Sequence, residues 1–211
     1  MKSEIMTQPK NQRFWNRFAE RYAARTLKNV PAYEAMLADV ASRLKDTDTV
    51  LEIGCGTGGT AIRLAPGVAK WTATDFSIEM VRIAKAKPSA GNVVFVVADA
   101  SNAFDGGPFD AICAFNVLHL VDDMPEMLTR INANLKPGGL LISKTWCFAD
   151  MKLSLRVLFP MLRVFGLFPA TTALSLVQLR QAIHDAGFEI TSEQIFGEHR
   201  QNPYIIAKKP A

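Results

Sequence analysis

The 211-residue chain is short of cysteine, and its three thiols, Cys55, Cys113 and Cys147, are odd in number and far apart. That excludes a disulfide framework and fits a reducing compartment. No zinc-like spacing occurs, and His119, His184 and His199 do not complete one, so no metal is expected. Charge of one sign is not in large excess: 24 Lys plus Arg stand against 20 Asp plus Glu, a net +4. Such a surface lacks the dense cationic face that grips a phosphate backbone, and nucleic acid is not an expected partner. No stretch of about 20 apolar residues is free of charge, so no membrane span is expected. The opening MKSEIMTQPKNQ has no apolar centre or small-residue cleavage site. It does not read as a signal peptide, and a cytoplasmic location is expected.

What is present is ordinary for a folded protein: 49% hydrophobic and 21% charged residues in a length that suits one domain. Apolar runs of strand length alternate with helix-period segments, which implies parallel strands crossed by helices on both faces of a sheet. TVLEI (49–53), WTATD (71–75), VVFVVA (93–98), FDAICAF (109–115) and LLISK (140–144) read as strands buried on both sides. Helices are expected at about 59–64, 78–86 and 124–135, the last stopped by Lys136-Pro137-Gly138-Gly139. EITSEQIF (189–196) and YIIAKK (204–209) add two strands joined by a loop that allows an antiparallel pair, giving about seven. Ser175 is the expected cap of a helix over 176–186, and two helices at about 11–25 and 31–44 precede the sheet.

The sharpest feature is Val50-Leu51-Glu52-Ile53-Gly54-Cys55-Gly56-Thr57-Gly58-Gly59, a buried strand entering a glycine-dense turn that opens a helix. Residues without a Cβ let the chain turn this tightly and bring its amides close to a ligand. Gly54, Gly56 and Gly59 also satisfy G-x-G-x-x-G, so the loop alone fits a dinucleotide or a nucleoside. Two acidic companions sharpen the reading. Asp75 ends the second strand, where a carboxylate can accept from both ribose hydroxyls, and Asp99 follows the third, where it can accept from an adenine amino group. The plainer alternatives are a solvated loop carboxylate and a turn or cap residue.

Glu52–Gly58, Thr74-Asp75-Phe76-Ser77 with Met80, Ala98-Asp99-Ala100, Phe109-Asp110-Ala111 with Asn116-Val117-Leu118-His119, and Leu135–Gly139 follow one another in order. Together they resemble the successive motifs of class I S-adenosylmethionine-dependent methyltransferases. The resemblance implies a Rossmann-like, doubly wound α/β fold, a seven-stranded sheet that is mostly parallel with one antiparallel strand, and S-adenosyl-L-methionine as cofactor. It further implies the methionine end near Glu52, Gly54, Cys55 and Gly56, the ribose on Asp75, the adenine against Phe76 and near Asp99 and Ala100, and Asn116 beneath the sulfonium. A pyrophosphate would be repelled by Glu52, which speaks against NAD. An NAD(P)-binding reductase is the alternative of another class, weakened by the absence of a Tyr-x-x-x-Lys pair and of a second domain. A non-catalytic nucleoside-binding scaffold is a third.

Methyl transfer needs the acceptor held in line with the activated methyl, and an oxygen or carbon acceptor must also lose a proton. His119, after the fourth strand, is the best-placed candidate base, with the packed core histidine as its plainer reading. Tyr22, His199 and Glu198 are weaker candidates. The Asn/Asp-Pro-Pro-Tyr/Phe signature of amino-group methylation on nucleobases or glutamine is absent, since Phe115-Asn116-Val117-Leu118 stands in its place.

Two amphipathic segments point at the acceptor. Arg13, Arg17, Arg21 and Arg25 recur every four residues beside Phe14, Trp15, Phe18 and Tyr22, so residues 1–45 read either as a helical lid or as helices packed on the sheet. Residues 150–174 form an apolar insertion, read as two short helices hinged at Pro160. It roofs a greasy pocket, touches a membrane peripherally through 151–169, or serves as an ordinary cap or dimer contact. The expectation is a single methyltransferase domain, 1–211, acting on a small, apolar acceptor such as a quinone-like ring, a lipid or another apolar metabolite.

Overall fold

In the computed structural model, which describes residues 10–99 and 102–211, seven strands form one sheet. They are β1 (Thr49–Ile53), β2 (Lys70–Asp75), β3 (Val93–Val97), β4 (Phe109–Phe115), β5 (Leu135–Lys144), β6 (Glu189–Gln194) and β7 (Tyr204–Lys208), in the order β3-β2-β1-β4-β5-β7-β6. β7 alone runs against its neighbours, antiparallel to both β5 and β6, and the remaining pairs are parallel. The strand order reverses between β1 and β4, which is where open sheets of this kind open a crevice at their C-terminal edge.

Helices α1 (Lys10–Ala23), α2 (Val30–Arg43), α3 (Gly59–Leu64), α4 (Ile78–Lys85), α5 (Met124–Ala133), α6 (Leu153–Val164) and α7 (Leu176–Asp185) complete the fold. Their starts follow the side chains that can satisfy free amides. Asn29 accepts from the Ala32 amide, Ser77 from Met80, and Asp123 from Glu126, while Ser175 and Gln178 form a reciprocal capping box. Alternation along the strands splits the core in two. Val50, Ala111, Cys113 and Ile206 pack with α2, α3 and α4, whereas Leu51, Ile112, Ala114 and Ile205 pack with α5 and α7. Through Trp15 and Ala19, α1 lies on Met80 and Ile83 of α4.

Three expectations are corrected. β3 is an edge strand that leaves Val94, Val96 and Val97 exposed instead of buried on both sides. α5 ends at Ala133, and Leu135–Gly139 joins β5 across a register shift. Gly139 permits this fold-back, since a Cβ there would sit 2.9 Å from the Lys136 carbonyl oxygen. The insertion forms one helix with Pro160 inside it, not two hinged there. Pro160 removes one helical donor, and on an exposed helix water can satisfy the carbonyl it leaves.

Candidate active site

The glycine loop lies between β1 and α3 at the switch point. Gly54 and Gly58 take positive φ, +69° and +76°, and a Cβ at Gly58 would lie 2.7 Å from the Phe95 ring. Gly59 is already helical, and a Cβ there would make only an ordinary contact, 3.8 Å from the Tyr33 hydroxyl, so the glycines this turn requires are 54, 56 and 58, not the third glycine of a dinucleotide pattern. The loop amides are largely occupied. Cys55 donates to the Thr74 carbonyl at 2.9 Å, Gly58 to the Cys55 carbonyl at 3.0 Å, and Gly56 to Asp75 Oδ2 at 2.8 Å. Few donors remain for a pyrophosphate.

Asp75 also accepts the Ser77 amide through Oδ1 at 2.9 Å, and burial pushes its carboxyl pKa up against these two bonds. It faces a cavity of about 800 Å³ whose walls include Gly54, Gly56, Phe76, Asp99, Asn116 and His119. Asp99 is held at a turn, its amide donating to Asn102 Oδ1. Ala100 lies outside the described residues. Asn116 takes a left-handed backbone, φ +55°, which asparagine tolerates, and its amide donates to the Lys144 carbonyl at 2.6 Å.

Glu52 and Cys55 look elsewhere. On the same strand parity as Val50, Glu52 is 2% exposed, accepts from Trp71 Nε1 at 3.1 Å, and has its pKa raised to about 8 by burial. With Cys55, Lys144, Glu198 and His199 it lines a second, more polar cavity of about 710 Å³ on the α2 side of the loop. Burial raises the Cys55 thiol well above its usual range. Tyr22, Gly54, Gly56, Phe115 and Asn116 border both cavities. Tyr22 is 41% exposed, but toward these cavities; protein around its phenol raises the pKa, so the hydroxyl stays protonated.

His119 sits on a one-turn helix, Leu118–Leu120, with its Nδ1 buried and unpartnered among the described residues. Desolvation lowers its pKa to about 4 and keeps the imidazole neutral. Its ring stands 5.3 Å from that of Phe148, which meets Phe159 and Phe168 edge-on while those two stack at 4.5 Å. Sequence reasoning offered an apolar roof from 150–174 as one alternative but missed the part that Phe148 plays in this aromatic wall. Its one local signal was Trp146 and Phe148 directly after β5, at the ligand edge of the sheet.

The opposite wall is α1, which contributes Phe14, Trp15, Phe18 and Tyr22 while Arg13, Arg17, Arg21 and Arg25 stay exposed. Polar side chains tie this helix across the cavity. Asn11 Nδ2 donates to the carbonyls of Leu120 and Ala170, and its Oδ1 accepts the Ala170 amide. Gln12 donates to the Phe76 carbonyl, Ser77 Oγ donates to Asn16 Oδ1, and Arg17 donates to the Gly166 carbonyl.

A sheet with one reversed strand, a glycine turn with occupied amides and a carboxylate at the end of β2 define the class I methyltransferase architecture. A family model described as "Methyltransferase domain" matches residues 15–193, and the chain belongs to that family, the S-adenosylmethionine-dependent methyltransferases. This sets the reductase reading aside. Among curated proteins, the chain is 34% identical over 118 residues to equisetin synthetase eqxS of Fusarium heterosporum, covering 51% of this chain and 3% of that protein. It is 39% identical over 101 residues to chondramide synthase cmdD of Chondromyces crocatus, covering 44% and 3%. The match thus spans only a small part of these long synthases. Similar solved structures include a DhpI complex with SAH, at 18% identity, TM-score 0.70 and coverage of 95% and 96%. Magnesium protoporphyrin IX methyltransferase of Synechocystis PCC 6803 gives 19%, 0.68, and coverage of 95% and 100%. Among the described residues no helix is long and apolar enough to cross a membrane.

Proposed function

We propose that the chain methylates a small, apolar acceptor held against Phe148, Phe159 and Phe168, with the cofactor lying across the glycine loop. What carries this reading is one cavity whose walls hold both Asp75, Phe76 and Asp99 and the aromatic cluster. The polyketide synthases among the curated relatives, such as Preu5 of Preussia isomera, give it further support.

The donor set fits S-adenosylmethionine: a buried carboxylate for the ribose, an aromatic wall at Phe76 for the adenine, and loop amides turned inward. Gly54 and Gly56 allow close approach, and Glu52, which lines the second cavity beneath the loop and is held protonated by burial in the ligand-free protein, gives up its proton to answer the cationic amino-acid end. When bound, the cofactor supplies an already activated methyl group. Asn116 borders the reacting side, where the chain's task is to align the acceptor and exclude water.

His119 accepts the acceptor's hydrogen bond. A base with a pKa of about 4 does not strip a proton from an ordinary hydroxyl in the ground state, but it suffices once the forming bond to carbon makes that proton strongly acidic. Tyr22, protonated, donates and positions. Residues 1–45, of which those before Lys10 lie outside the described residues, act as the lid and 150–174 as the outer wall of a single domain.

Calorimetry with S-adenosylhomocysteine and NADH, followed by methyl-labelled cofactor with a panel of apolar and polar acceptors, tests the proposal. Binding of the first compound alone and label in an apolar product is the expected result. Label confined to polar acceptors overturns it.

A further inference from the structure

Helix α6 is apolar on both of its sides. Phe159 and the following Leu167, Phe168 and Pro169 line the cavity. On the outside, Leu153, Val157, Met161 and Val164 recur at helical spacing as an exposed stripe, with Leu153 72% and Val164 83% exposed. The stripe continues into Phe165, 73% exposed, at the helix end. Among the described residues no helix or strand covers it, and no buried residue lies within the helix. A soluble amphipathic helix turns such residues inward and polar ones outward, which is the reverse of what this face shows.

Charge indicates the occupant. Between Met151 and His184 the chain has no acidic residue but carries Lys152, Arg156, Arg163 and Arg180. Lys152, Arg156 and Arg163 join no ion pair among the described residues. On the helical wheel the two arginines lie together along one edge of the stripe, and the Arg17 bond to the Gly166 carbonyl brings the exposed basic ridge of α1 alongside. An apolar stripe with cations along its border is a composition that seats a helix in the headgroup layer of an anionic bilayer.

We infer that α6 and the turn after it dock on an anionic lipid surface, presenting the aromatic cavity to the bilayer. For its purpose, delivery of an apolar acceptor, this inference rests on the function proposed above; the docking itself does not.

The test is flotation of the full chain with vesicles of phosphatidylcholine alone or with about one third phosphatidylglycerol, alongside calorimetry with S-adenosylhomocysteine. Expected are binding to the anionic vesicles only, at least tenfold weaker binding for Val157→Asp/Met161→Asp, and loss with added salt or in Arg156→Gln/Arg163→Gln. None of these four residues lines either cavity, so cofactor binding should stay unchanged, and it also reports that the variants fold. No vesicle binding, or binding indifferent to these substitutions, overturns the inference. So does a dimer in solution that the Asp pair converts to monomer without any vesicle contact, which would assign the stripe to a second copy of the chain. Failure of the cofactor to bind the wild type would instead sink the methyl-transfer reading.

Discussion

The Gly56 amide donates to Asp75 Oδ2 at 2.8 Å, so the carboxylate proposed for the ribose also fastens the glycine turn. The other oxygen takes the Ser77 amide at the start of α4, and one side chain thereby sets the spacing of β1, β2 and α4 around the crevice.

Asp75→Asn should therefore cost more than one ligand contact. Asparagine offers one acceptor oxygen where two amides need one each, and an unmatched buried amide costs about 1–3 kcal/mol. S-adenosylhomocysteine affinity should fall at least tenfold by calorimetry, with a lower melting temperature. Unchanged affinity would remove Asp75 from the binding site.

Glu52 makes the ligand-free protein less stable as pH rises. Its folded pKa of about 8 lies above the ordinary 4.5, so the native state holds the proton more tightly than the unfolded chain. Stability is greatest below the lower value and declines toward pH 8, by as much as about 5 kcal/mol at about 1.4 kcal/mol per unit. Glu52→Gln keeps an acceptor for Trp71 but cannot ionise. Urea unfolding should show the variant matching wild type near pH 5 and exceeding it at pH 8.

His119 acts in the opposite direction. With its pKa lowered from 6.5 to about 4, the native state binds fewer protons, so stability is lost as pH falls through that window. His119→Ala should lower kcat while leaving cofactor affinity intact, and the wild-type rate should show no ionisation of this histidine above about pH 5. A rate that tracks a group near 6.5 would contradict neutrality in the fold.

Gly58→Ala and Gly59→Ala should separate sharply. The first meets both a left-handed backbone and the Phe95 ring, for a loss of about 2–4 kcal/mol. The second adds a methyl 3.8 Å from the Tyr33 hydroxyl in a helical position, where alanine gains about 0.5–1 kcal/mol over glycine. Denaturant midpoints measure both.

Most strands, one cap and the loop were legible because their signals are local: Ser175 announces its helix within three residues. The direction of Glu52 was not. β1 is apolar on both faces, so alternation carried no phase, and only the packing of Val50 against α2 and α3 assigns Glu52 to the second cavity. The exposure of β3 follows from its place at the sheet edge, which no residue within it encodes. The aromatic wall joins Phe148 to Phe168 through a helix whose apolar periphery gave no hint of which side would face inward.

The ties that α1 makes to Phe76, Leu120, Gly166 and Ala170 have a kinetic corollary. The helix is anchored to the rim on the nucleoside side and to the rim on the aromatic side at once. In the lid role proposed above it would move as a single plank, so that admission of one reactant and departure of the other would share one gate.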